Sequence, residues 1–92
     1  MAKDTKDVKM AMMVAASKAI EYKKKKPHAE TEEILRYVMK AIIARGDAKI
    51  GAIAAATRAV KYKEQNPDAK DKEIMQRVMN ESTEIVDLMG QR

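Results

Sequence analysis

The sequence predicts an all-α protein, a four-helix bundle built from two tandem helix-loop-helix repeats of about 40 residues. Residues 7–43 match residues 47–83 at 13 of 37 positions without a gap, apolar residues recur at helical spacing in both copies, and one proline divides each copy. Because each copy is one supersecondary unit, we expect a pseudo-two-fold axis between them. The alternative is a more open arrangement, saposin-like or resembling a pair of EF-hands, because the joint at Gly46 is short.

The first helix is predicted to begin between Asp4 and Asp7 and to run to about Lys25. It carries one bulky apolar stripe and one stripe of small residues, and the third helix repeats both. The bulky stripes are Met10, Met13, Val14, Ser17 and Ile20, and Ile50, Ile53, Ala54, Thr57 and Val60. The small stripes are Ala15, Ala16 and Ala19, and Ala52, Ala55, Ala56 and Ala59. With two such faces, each helix is expected to pack against two neighbours.

Proline should end the first helix of each repeat, because it disfavours helical geometry in the residue before it. Helices one and three are therefore predicted to stop before Pro27 and Pro67. Thr31 and Asp71 are the expected N-caps of helices two and four, and Gly46 is expected to cap the end of helix two. The apolar faces of these helices are Ile34, Leu35, Val38, Met39, Ile42 and Ile43, and Ile74, Met75, Val78, Met79, Ile85 and Val86.

Length and composition limit the class of protein. Ninety-two residues suffice for one hydrophobic core, so we expect a single domain over residues 1–92, with repeats at 5–45 and 47–89. An apolar content of 46% excludes a disordered chain, and the absence of Cys excludes disulfides and thiolate metal sites. No stretch approaches the roughly 20 apolar residues of a membrane-spanning helix, and no signal peptide is recognisable, so we expect a cytoplasmic protein. Abundant Lys and Glu with few Asn and Gln give a thermophile-like composition.

The net charge of +5 belongs to the first half of the chain. Residues 1–46 contain eleven Lys and Arg against six Asp and Glu, whereas residues 47–92 contain eight of each. Four consecutive lysines end the first helix, where the second repeat has Lys63-Glu-Gln-Asn66, so the fold itself does not require four lysines there. Lysines at a helix end are also often merely solvated. The candidate polyanion contacts are Lys18, Lys23, Lys24, Lys25 and Lys26.

These features favour a small non-enzymatic interaction module whose basic first repeat faces an acidic protein or nucleic acid. Nucleic-acid binding would be independent of base sequence, because the chain has neither an aromatic-rich surface nor an Arg-rich reading helix. An enzyme is not expected, because the chain has a single histidine (His28), no Cys and no glycine-rich phosphate loop. No cofactor and no metal site are expected either.

Three further functions stay open. Wide apolar faces and eight methionines would suit lipid or small-molecule binding between splayed helices. An exposed apolar face would instead suit homodimerisation. A degenerate EF-hand-like calcium site would use Glu64, Asn66 and Asp68, but Ala69 and Met75 replace the glycine and the closing glutamate that such a loop needs.

Overall fold

The computed structural model describes the backbone of residues 5–42 and 45–90 and the side chains of residues 8–42 and 45–84. It contains four α-helices: α1 (Thr5–Lys25), α2 (Thr31–Ala41), α3 (Asp47–Gln65) and α4 (Asp71–Gly90). The described residues form no strand, and the prediction of an all-α, four-helix protein is confirmed. Three residues of the predicted apolar faces lie outside the described side chains: Ile43, Ile85 and Val86.

The helices are arranged around a close contact between α1 and α3. Lys23, near the end of α1, bonds Glu64, near the end of α3, at 3.2 Å, so the two helices run parallel. The faces in contact are rich in fully buried alanines: Ala15, Ala16, Ala19, Ala52, Ala55, Ala56 and Ala59. Side chains this small let the two axes approach more closely than Leu or Ile would allow.

Gly51 is a point of especially close approach. A Cβ added at this position would lie 3.0 Å from Cγ of Met12 and 3.2 Å from Cγ1 of Val8. The Met12 side chain is fully buried and therefore fills the space that a side chain at position 51 would need. Helix propensity alone would favour alanine over glycine here, so it is the contact with α1 that favours the glycine.

α2 and α4 cover opposite sides of the α1–α3 pair. α2 inserts Ile34 and Val38 into one apolar cluster with α1 and α3, and α4 inserts Ile74 and Val78 into a second cluster with the same two helices. Among the described residues, α2 and α4 do not contact each other. An isolated helix as short as the 11-residue α2 is marginal in water. Its stability therefore depends on Ile34 and Val38, whose burial contributes about 1.5–3 kcal/mol each.

The two proline turns share the same backbone hydrogen bonds. The N–H of Ala29 donates to the carbonyl oxygen of Lys26 at 3.0 Å, and the N–H of Ala69 donates to that of Asn66 at 3.0 Å. Each proline occupies the second position of a four-residue turn, where its fixed φ is favourable. As predicted, α1 and α3 both end before these prolines.

The predicted helix caps need correction. Thr31 and Asp71, expected as N-caps, are the first residues of α2 and α4. Gly46, expected to cap the end of α2, is instead the N-cap of α3, with φ of 58° and ψ of −131°. Glycine adopts this backbone conformation without a Cβ penalty. α2 ends earlier, because the backbone at Ile42 is extended.

The bulky stripes of α1 and α3 are largely exposed, although both were expected to pack against neighbours. Met10 is 57% exposed, Val14 44% and Ile50 55%, whereas Ile20 and Val60 at the other end of the same stripes are buried. The exposed residues lie on the side of each helix opposite its alanine face. The alanine faces take the central contact and α2 and α4 take the flanks, so no described helix covers these stripes.

Replacing Ala56 by leucine should lower the free energy of unfolding by about 1–3 kcal/mol, because a larger side chain would push α1 and α3 apart. Urea unfolding followed by circular dichroism measures the loss. The matched control is Ala41→Leu, at an exposed position, which should change the free energy by no more than about 0.5 kcal/mol. Equal effects of the two substitutions would contradict close packing of α1 on α3.

Candidate anion-binding surface

Lys23 and Lys63 hold the two proline turns. In the first hairpin (α1 and α2), Nζ of Lys23 donates to the carbonyl oxygen of Ala29 at 3.2 Å. In the second hairpin (α3 and α4), Nζ of Lys63 donates to the carbonyl oxygen of Ala69, also at 3.2 Å. An ammonium group is further favoured at a helix C-terminus by the helix dipole. The first lysine of the four-lysine run therefore has a structural contact that both hairpins share.

Lysines of the first hairpin also pair with carboxylates of the second. Nζ of Lys23 is 3.2 Å from Oε2 of Glu64, and Nζ of Lys24 is 2.9 Å from Oδ2 of Asp71. The other oxygen of Asp71 lies 3.7 Å from Nζ of Lys63, so this carboxylate faces a lysine from each hairpin. Only 12% of the Lys23 side chain is exposed. Two of the five candidate polyanion contacts, Lys23 and Lys24, are thus paired within the protein.

The paired groups line a cleft of about 520 Å³ between the two turns. Pro27 and Pro67 form its apolar walls, and its polar lining is Lys23, Lys24, Lys63 and Glu64. Glu64 and the neighbouring Asp71 offset two of the three lysine charges. The cleft therefore offers an anion only about one net positive charge.

Lys18, Lys25 and Lys26 form a different surface. Lys25 and Lys26 are exposed and Lys18 is half-buried, and none of the three forms an ion pair with a described residue. Lys18 and Lys25 lie four residues before and three residues after Tyr22, so all three share one face of α1. Nζ of Lys26 is 5.4 Å from the centroid of the Tyr22 ring, within cation–π range. We call Lys18, Lys25 and Lys26 the open lysines.

Tyr22 contacts Tyr37 of α2. The ring centroids are 4.7 Å apart and the ring planes are tilted by 39°. The hydroxyl of Tyr22 donates a hydrogen bond to the Glu33 carboxylate, and this bond, together with burial, raises the pKa of Tyr22. Both rings are half-buried, so an aromatic pair lies at the surface beside the open lysines.

The second hairpin has a closed polar network at the corresponding place. The residues forty positions after Lys18, Tyr22, Tyr37 and Ala41 are Arg58, Tyr62, Arg77 and Glu81. The Glu81 carboxylate accepts hydrogen bonds from Nη1 of Arg58 at 2.6 Å and from the hydroxyl of Tyr62. The guanidinium of Arg77 lies 4.1 Å from the centroid of the Tyr62 ring and 3.8 Å from Glu81. Each charged group of this network therefore has a partner within the second hairpin, and the two arginines and one carboxylate leave one net positive charge.

The pKa shifts in this network reflect the same contacts. Burial raises the pKa of Glu81, but the hydrogen bonds from Tyr62 and Arg58 outweigh it and hold the pKa below its ordinary value. Burial and then the bond to Glu81 raise the pKa of Tyr62. The first hairpin has Ala41 in place of this glutamate, so Lys18, at the position of Arg58, has no such carboxylate to bind.

The other sequence candidates lie at or beside the two proline turns. His28 is exposed in the first turn, and Glu64, the first expected EF-hand ligand, is bound to Lys23. Within the described ranges, no three or more His, Asp or Glu side chains are grouped so as to hold a metal ion. None of the described helices is both long enough and apolar enough to cross a membrane.

Comparison of the chain with protein-family models, with curated proteins and with solved structures gave no match. Inferences about function therefore depend on the chain's own side chains.

Sequence reasoning did not single out Tyr37, Arg77 or Glu81. The spacing of Arg77 and Glu81, four residues apart on one helix, was a signal for their pairing. The contact of Tyr22 with Tyr37 carried no such signal, because it depends on how α2 folds back along α1.

Glu81→Gln should lower the free energy of unfolding at neutral pH by about 1–2 kcal/mol, because the charge that binds Arg58 is lost. The folded pKa of Glu81 is depressed, so its contribution is complete above the ordinary carboxyl pKa of about 4.3 and is lost as the pH falls through the folded value. On acidification, the wild type should lose the contribution of Glu81 to the free energy of unfolding, whereas the variant has no such contribution to lose.

Thermal unfolding from pH 7 down to about pH 3 measures this difference. Glu84→Gln, at an exposed position of α4, is the matched control and should keep the pH dependence of the wild type. If Glu81→Gln also keeps that dependence, the proposed origin of the acid sensitivity is wrong.

Lys23→Gln and Lys25→Gln, two residues apart in the lysine run, should differ in stability. Lys23→Gln removes the bonds to Ala29 and Glu64 and should cost about 1 kcal/mol of unfolding free energy. Lys25→Gln removes no described contact and should change it by no more than about 0.5 kcal/mol. Urea titrations measure both values. A larger loss for Lys25→Gln would contradict the structural role of Lys23.

Proposed function

We propose that this protein is a small, non-enzymatic interaction module that binds an acidic partner, a protein or a nucleic acid, through its first hairpin. The observation that carries the proposal is the contrast between the hairpins at the same position. The second hairpin satisfies Arg58 with Glu81, whereas the first keeps the open lysines without ion-pair partners among the described residues. An acidic partner would supply the missing counter-charge.

The distribution of charge along the chain supports the same surface. The excess of basic over acidic residues lies in residues 1–46, and residues 47–92 are neutral. A charge excess on one side of a small protein attracts and orients polyanions. At physiological salt the Debye length is about 8 Å, so exposed lysines close to the partner dominate the interaction. Lys23 and Lys24 contribute less than the open lysines, because Glu64 and Asp71 offset their charges.

The directions of the pKa shifts among the described groups support the non-enzymatic part of the proposal. The pKa of Glu81 is shifted down, and the pKa values of Tyr22, Arg58 and Tyr62 are shifted up. All four shifts move the group away from neutral pH. General acid–base catalysis instead favours groups whose pKa is tuned towards the operating pH. These shifts are those of groups in structural hydrogen bonds.

The experiment is titration of the protein with dextran sulfate and with poly-glutamate at increasing salt. The wild type should bind at low salt and lose affinity steadily as salt rises, as expected for ion pairing. Replacing Lys18, Lys25 and Lys26 together by glutamine should abolish most of the binding and reduce the salt dependence. The fold should be retained, because none of the three forms an ion pair with a described residue.

The matched control replaces three exposed lysines of the second hairpin, Lys61, Lys70 and Lys72, by glutamine. This variant has the same net charge as the first, so it separates local contacts from the effect of total charge. It should keep most of the wild-type affinity. Equal loss of affinity in both variants, or binding by the wild type that does not change with salt, would contradict the proposal.

A further inference from the structure

We propose that the acidic partner is a single-stranded nucleic acid, with a base stacked on Tyr37 and phosphates bound by the lysines around the Tyr22–Tyr37 pair. This inference rests on the proposed function and names the chemistry of the partner. It depends on three features of the first hairpin: the aromatic pair, the lysines beside it, and the contrast with the second hairpin.

Tyr37 provides the stacking surface. Tyr37 packs against the apolar cluster that contains Ile34 and Val38, but its side chain stays half-buried. Its ring lies 4.7 Å from the ring of Tyr22 between centroids and makes no other ring or cation contact with a described residue. The hydroxyl of Tyr22 is bound to Glu33, and Lys26 lies over its ring. Tyr22 therefore supports Tyr37 from one side, and a base would stack on Tyr37. Stacking on aromatic side chains is how proteins bind single strands independently of sequence.

In the second hairpin, Tyr62 corresponds to Tyr22, and its ring is not available for stacking. Tyr62 is only 9% exposed, and the guanidinium of Arg77 covers its ring at 4.1 Å. The first hairpin has Tyr37 at the position of Arg77. In the second hairpin, Arg77 thus covers the ring of Tyr62. In the first hairpin, Tyr37 at the same position adds a second aromatic ring beside Tyr22.

Lysines surround the aromatic pair. Lys18 and Lys25 share a face of α1 with Tyr22, and Lys40 follows Tyr37 by three residues on α2. Lys40 is exposed and, like the open lysines, forms no ion pair with a described residue. Three carboxylates share these helix faces: Glu21, one turn from Lys25; Glu30, two turns before Tyr37; and Glu33, which is bound to Tyr22. Four lysines against three carboxylates leave one net positive charge for phosphates.

An acidic peptide would use only part of this surface. Carboxylate side chains would pair with the lysines but would not stack on the accessible part of the Tyr37 ring. A nucleic-acid single strand carries a negative charge on each nucleotide and a planar base beside it, and so matches lysines next to an aromatic ring. The small net charge predicts modest affinity that falls steeply with salt.

The experiment compares three fluorescently labelled ligands of equal charge by anisotropy at low salt: a short oligothymidine, an abasic oligonucleotide with the same number of phosphates, and poly-glutamate. The wild type should bind oligothymidine tighter than the abasic strand by roughly fivefold or more, the effect expected for one stacked base. Tyr37→Leu should remove this difference while keeping the affinity for the abasic strand, which also shows that the variant is folded. Tyr37→Phe keeps the ring and should retain the difference.

Each contrary outcome has a distinct meaning. If the wild type binds oligothymidine and the abasic strand equally, the stacking inference is overturned without any variant, and the proposed function survives. If poly-glutamate binds as tightly as oligothymidine and Tyr37→Leu changes neither affinity, the partner is an acidic protein, and the inference is again overturned. If none of the three ligands binds at low salt, both the inference and the proposed function fail.

Discussion

The rest of the structure depends on the contact between the alanine faces of α1 and α3. Fully buried alanines from both helices, together with Gly51 against Met12, let the two axes come close together in parallel. This contact leaves two grooves, one on each side of the pair, and α2 and α4 each fill one with an Ile and a Val. Because the central pair separates them, α2 and α4 do not meet among the described residues, and these residues form two apolar clusters.

Parallel packing of α1 and α3 also determines where the charges meet. It places the C-terminal ends of both helices, and the proline turns that follow, at one end of the molecule. Lys23 and Lys24 of the first hairpin can then pair with Glu64 and Asp71 of the second. Part of the excess positive charge of the first half of the chain is therefore compensated by carboxylates of the second half. Lys25 and Lys26 are the part of the lysine run that this pairing does not use.

The two hairpins show how one helical scaffold carries different chemistry at the same position. Around Tyr62, two arginines each contact Glu81 or the tyrosine ring, and this region stabilises the contact between α3 and α4. Around Tyr22, that network is replaced by a second tyrosine and by lysines that form no ion pair with a described residue. Groups that already bind one another gain little free energy from a ligand. Half-buried aromatic rings beside lysines without ion pairs can instead gain binding free energy from a ligand that is both anionic and planar. The proposed binding surface follows from this difference.

The sequence by itself determined the number of helices, the turns at Pro27 and Pro67, and the basic character of the first half of the chain, because helical periodicity, proline and charge act locally. It did not determine which apolar stripe would be buried. Periodicity identifies a face of a helix but not its partner, so the exposure of Met10 and Ile50 followed only from the close packing of the alanine faces. Nor did it separate Lys23 and Lys24 from Lys25 and Lys26, or bring Tyr37 to Tyr22. Those outcomes depend on side chains far apart in the chain, and only tertiary packing sets the distances between them.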